Sequence, residues 1–101
     1  MPEQAYTVTV AKDLEDLIPA FVENRRRELE KLRTALAAGE YEELRQLGHR
    51  MRGVGISYGF DRVSVLGRQI EDGARTGSRA ELAARIAEYG DFLARVKVVY
   101  E

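Results

Sequence analysis

The chain has 101 residues, of which 45% are hydrophobic and 33% charged, a balance that makes one soluble-type helical domain with a single modest core and is too apolar for a disordered chain. Sixteen basic and seventeen acidic side chains give a net charge of −1, which argues against nucleic acid as the main partner, because a phosphate backbone is normally met by a strong positive excess. There is no cysteine and one histidine, so disulfides, thiolate metal sites and a cysteine nucleophile are excluded, and zinc would have only carboxylates to join that histidine.

In chain order, residues 1–11 read as an extended N-terminal arm. Tyr6-Thr7-Val8-Thr9-Val10 alternates weakly, but one isolated strand has nothing to pair with, so the arm is expected to lie on the body formed by residues 12–101. Asp13 is placed to cap a short helical turn through Leu17 and Ile18, and Pro19 suits the first turn of a long helix to about Ala38. That helix buries Phe21, Val22, Leu29, Leu32 and Leu36, and Gly39 ends it. Arg25 falls on its buried side and is expected to snorkel from the rim, while Arg25-Arg26-Arg27 faces Glu23, Glu28 and Glu30 as a solvated, salt-bridged surface. Glu40 opens a second helix after almost no loop, which forces an antiparallel neighbour. This helix should end near Gly59, with Asp61 capping a third whose buried face is Val63, Leu66, Ile70 and Ala74. Ser78 and Glu81 form a capping box for the fourth, which carries Leu82, Ile86, Tyr89, Leu93, Val96 and Tyr100 at near-heptad spacing.

The expected fold is therefore all-α: an up-and-down antiparallel four-helix bundle with a short N-terminal arm and helical turn. No apolar run approaches the roughly 18 residues of a membrane span, and the N-terminus lacks the basic-then-apolar order of a signal peptide. A cytoplasmic location without membrane contact is expected. So is a monomer, with exposed Val98 and Val99 the only residues that suggest weak self-association.

His49 is the residue with chemistry. Around it Leu44, Leu47, Met51, Val54 and Tyr58 recur at steps of three and four and cluster on one helix side. At about 100° per residue His49 lies about 180° from their centre, pointing into a ring of Arg45, Gln46, Arg52 and Gly53. A lone exposed imidazole beside fixed positive charge suits a nucleophile that accepts an anionic group. Gly48, Gly53, Gly55 and Gly59 crowd the same helix, although an interior glycine costs roughly 1 kcal/mol relative to alanine. Gly55 lies near the apolar side and reads as close packing. Gly53 lies beside His49 and reads as access for a partner. Ile56, about 20° around the helix from His49, is a candidate docking contact. On the third helix Ser64, Arg68, Glu71 and Arg75 line one polar side, and spacing alone favours an ordinary Glu71–Arg75 pair over any role near His49.

The stretch from His49 through Arg52, Gly53, Gly55, Gly59 and Phe60, followed by Val63, Leu66, Ile70, Glu71 and Arg75, resembles the signature of histidine-containing phosphotransfer (HPt) domains. The resemblance covers about 27 residues closely, and the predicted helices agree with the family bundle beyond them. It implies that His49 is the phosphoacceptor, taking a phosphoryl group from a receiver-domain aspartate and passing it to another receiver. Arg52 stands where the family has lysine and would stabilise the phosphoryl oxygens through a planar fork. Gly53 matches the glycine that opens the site, and Gly59 and Ile56 fall on the side expected to dock the partner. Val54 departs from the family's small residue. Glu71 stands where some members place a glutamine that bonds the histidine, with Arg45, Gln46 and Arg75 in support.

The chain would bind no cofactor itself. Mg²⁺ is expected in the partner receiver domain, and a hybrid histidine kinase is among the candidate partners. With no phosphate-binding loop or Walker-type lysine, an ATP-using enzyme is not expected. Two other classes fit the pattern less well. A helical adaptor would dock receivers without chemistry, and the phosphoacceptor helix pair of a sensor kinase would carry an acidic residue where Arg50 stands. The N-terminal arm and the start at Met1 favour a free-standing protein over a module of a hybrid kinase.

Overall fold

The computed structural model describes residues 5–101. Its elements are β1 (Tyr6–Val10), a 3₁₀ turn (Lys12–Leu17), α1 (Ile18–Ala38), α2 (Tyr41–Ser57), α3 (Asp61–Thr76), α4 (Arg79–Arg95) and β2 (Val96–Tyr100). The four helices form an all-α bundle in which each packs on its neighbours in sequence and α4 closes back onto α1. The core side chains follow the helical period: Phe21, Leu29 and Leu32 from α1, Leu44, Leu47 and Met51 from α2, Val63, Leu66 and Ile70 from α3, and Leu82, Ile86, Tyr89 and Leu93 from α4.

Two expectations about the chain ends are corrected. The fourth helix stops at Arg95, and Val96–Tyr100 is a strand. It pairs in parallel with β1, from Tyr6 against Val96 to Val10 against Tyr100, so the N-terminal segment has a partner and is not a bare arm. Tyr6, Val8 and Val10 turn toward the bundle, as do Val96, Val98 and Tyr100, and the intervening residues face outward. Val98 is thus half-buried in the sheet, while Val99 stays exposed. Tyr6 fastens the sheet to α4: its hydroxyl donates to Asp91 Oδ2 at 3.0 Å and accepts from Arg95 at 3.1 Å. The guanidiniums of Arg62 and Arg95 lie 4.8 Å and 4.7 Å from the centre of its ring.

The caps also differ from expectation. Asp13 does not cap the 3₁₀ turn, whose N-cap is Ala11. Asp61 is the first residue of α3, behind an N-cap at Phe60. Ser78 holds the N-cap of α4 without a side-chain bond, and Glu81 pairs with Arg85 at 2.8 Å, so no capping box forms. Gly39 does end α1, in the left-handed conformation that a C′ glycine adopts. Arg25 does not snorkel. Its guanidinium lies over the Phe21 ring, and Nε sits 3.1 Å from Glu28 Oε1. The buried Glu28 also accepts the Tyr89 hydroxyl at 2.9 Å, tying α1 to α4. Burial pushes the Glu28 carboxyl up despite Arg25 and Tyr89, and it pushes the Tyr89 hydroxyl up as well.

The tightest contact in the bundle is between α2 and α3, and glycines explain it. A Cβ on Gly48 would lie 2.7 Å from the Gly67 carbonyl oxygen, and one on Gly67 would lie 2.6 Å from the Arg52 nitrogen. The two backbones therefore meet where neither carries a side chain. Gly55 does the same one step along, against Ser64, whose hydroxyl accepts the Ile56 N–H at 2.8 Å.

Candidate functional site

The Gly48–Gly67 crossing positions the site. Gly67 brings α3 against α2, and Glu71, one turn further along α3, arrives beside His49, one residue beyond Gly48. The His49 side chain is 67% exposed, whereas that of Glu71 is 1% exposed. A buried carboxylate costs several kcal/mol unless it is paired and hydrogen-bonded. Three groups meet that need: His49 Nδ1 lies 3.1 Å from Oε2, Arg75 Nη2 donates to Oε2 at 3.2 Å, and Arg52 Nη1 donates to Oε1 at 3.4 Å.

Burial works to raise the Glu71 carboxyl, but the bonds from His49 and Arg52, with the charges of His49 and Arg75, hold it below the ordinary carboxylate range. Glu71 is therefore ionised at neutral pH and only accepts hydrogen bonds. It follows that the neutral imidazole carries its proton on Nδ1, because only that tautomer can donate to Glu71 through the nitrogen that faces it. The lone pair is left on Nε2, which has no protein partner among the described residues. The arrangement is an exposed nucleophilic nitrogen on a ring held from behind, with one arginine fork beside it.

The predicted neighbours separate into those that reach the imidazole network and those that do not. Glu71 and Arg75 join it, which corrects the reading of that pair as an ordinary surface contact. Arg52 reaches the same carboxylate from α2. Arg45 and Gln46 turn away to Glu42, at 2.7 Å, 2.8 Å and 3.2 Å, and do not touch His49. Gly53 is exposed, and a Cβ there would meet nothing within 4 Å. Ile56 is 66% exposed and shares its surface with Val65 of α3, 56% exposed, which sequence reading passed over. Gly59 sits in the turn between α2 and α3 with φ +82° and lies near Thr9 and Val10 of β1, so its glycine is explained by the backbone. Val54 is half-buried on the core side of α2. Among the described residues no group of three or more histidines and carboxylates could hold a metal ion, and no helix is long and apolar enough to cross a membrane.

The helical bundle thus presents one solvent-facing histidine, braced by a buried carboxylate. The family model described as Hpt domain matches residues 11–98, and the chain belongs to that family. Such domains are phosphocarriers in histidine phosphorelays, where they interact with receiver domains and kinases. No curated protein and no solved structure matches the chain.

Proposed function

We propose that this chain is a phosphorelay intermediate in which His49 accepts a phosphoryl group from the aspartate of one receiver domain and passes it to another. The observation that supports the reading is the 3.1 Å contact between Glu71 Oε2 and His49 Nδ1, which favours a proton on Nδ1 and a free lone pair on Nε2.

The step follows from that tautomer. Nε2 attacks phosphorus in line, a P–N bond forms, and the P–O bond to the receiver aspartate breaks, returning that carboxylate as the leaving group. Attack places positive charge on the imidazole ring, and the Glu71 carboxylate behind Nδ1 stabilises it. Arg52 is exposed and holds Glu71 only at 3.4 Å, so its fork is free to move onto the phosphoryl oxygens and neutralise charge there. Arg75 stays on Glu71 and keeps the buried carboxylate paired meanwhile. Mg²⁺ belongs to the receiver in this scheme. Gly53 adds no side chain to the exposed surface that the receiver would cover, and Ile56 with Val65 offers an apolar shelf for it. Arg45 and Gln46, held by Glu42, shape the rim at most. The exchange is expected to take place in the cytoplasm between a monomeric carrier and receivers, one of them attached to a hybrid kinase.

The test is incubation with receivers labelled on their aspartate. Acid-labile, base-stable label should pass to the wild-type chain and be absent from His49→Gln, with both proteins equally folded by circular dichroism. Label that persists in His49→Gln, or wild type that binds receivers and takes none, rejects the reading; the second result would leave a docking adaptor.

A further inference from the structure

We propose that the groove between α1 and α2, on the flank of the molecule away from Glu71, docks an acidic segment of a partner protein. The groove has a volume of about 450 Å³. Its walls carry Arg27 and Lys31 from α1 and Arg50 from α2, all exposed, and its floor includes Leu47 and the half-buried Val54.

The sign of the groove is decided by which charges are already answered. Arg25 and Glu28 pair with each other, and Arg27 reaches Glu23 only at 3.7 Å across exposed surface. Lys31 and Arg50 have no carboxylate within salt-bridge distance among the described residues. The basic run read from sequence as a solvated, self-paired face is thus only partly self-paired, and its surplus faces a concave surface shared with α2.

The kind of anion follows from the walls. Both are mid-helix, where every backbone N–H is engaged in the i→i−4 ladder, so there is no cradle of free N–H groups of the sort that phosphates use. What the groove offers is long flexible cations above an apolar floor. That combination fits glutamate or aspartate side chains flanking one aliphatic anchor better than a nucleotide or free phosphate. Residues 24–31 of α1 and 47–54 of α2 each run about 10 Å at 1.5 Å per residue, the length of two turns of a partner helix. The lining residues of α2 lie about 100° to 160° around the helix from His49, so an occupant leaves Nε2 open. Binding rests on the groove alone. Its consequence, that a partner held here presents its receiver to His49, rests on the phosphocarrier reading.

The experiment is fluorescence anisotropy with a short labelled helical peptide bearing glutamates and one leucine on a single face. Wild type should bind it, and His49→Gln should bind it equally. Lys31→Glu with Arg50→Glu should weaken binding by about tenfold or more, as expected for two lost ion pairs made repulsive. Lys31→Gln with Arg50→Gln, which adds no repulsion toward Glu28, should weaken it severalfold. A peptide with glutamine for glutamate should not bind. Equal binding by the charge variants, loss in His49→Gln, or association with phosphatidylserine vesicles in place of the peptide would each overturn the proposal. A chain that binds the peptide yet takes no label from receivers keeps the docking site and loses only the phosphocarrier reading.

Discussion

Glu71 is the residue on which the site depends, and its charge makes the dependence measurable. Its carboxyl is held below the ordinary carboxylate value of about 4.5 in the folded chain, so it contributes stability that is fully present above the unfolded value and is lost as pH falls through the folded one. Acid titration of thermal unfolding should show stability dropping below about pH 4.5 in wild type, with a shallower acid limb in Glu71→Gln. Gly53 separates access from packing. Alanine fits there without contact and should stabilise α2 by up to about 1 kcal/mol in denaturant unfolding, while slowing label transfer to His49. A stabilised variant that transfers at the wild-type rate would remove the access role. The exposure of His49 was legible in sequence because helical phase alone settles it. The burial of Glu71 was not, since i,i+4 spacing to Arg75 looks the same on a solvent face as at an interhelical seam, and only the α2–α3 approach distinguishes them.

Among elements, the α2–α3 pair carries the geometry, and its glycines set how close the backbones come. A methyl group at Gly67 would meet the Arg52 nitrogen and the Met51 Cβ, both at 2.6 Å. Neither is the flexible end of a side chain, so the helices must separate. Gly67→Ala should cost about 1–3 kcal/mol in denaturant unfolding, and it should lengthen the His49–Glu71 contact, read as a change in the imidazole nitrogen shifts by NMR. The four helices were readable from their period and their turn residues. The strand Val96–Tyr100 was not, because Val96 and Tyr100 also continue the alternating steps of four and three that Leu82, Ile86, Tyr89 and Leu93 establish. The competing signal was present in the three β-branched valines of Val96-Lys97-Val98-Val99, but a strand needs a partner, and that partner lies at the other end of the chain.

At the scale of the molecule, β1 and β2 close the chain on itself. Val10 is 2% exposed where the sheet meets the core, and placing a charge there without a partner should destabilise the fold. Val10→Asp is expected to lose about 3 kcal/mol and to raise hydrogen exchange at Val98 and Tyr100 before that of α2 and α3. Equal exchange throughout would mean that sheet and bundle open as one unit. The parallel register also gives the fold a mechanical character. β1 enters at Tyr6, opposite Val96, and β2 leaves at Tyr100, opposite Val10. Tension applied to the two ends draws the strands past each other along their length, loading the ladder between Tyr6 and Tyr100 in shear and not peeling it open one pair at a time. Under such a pull the helices and His49 stay shielded until the whole ladder yields together.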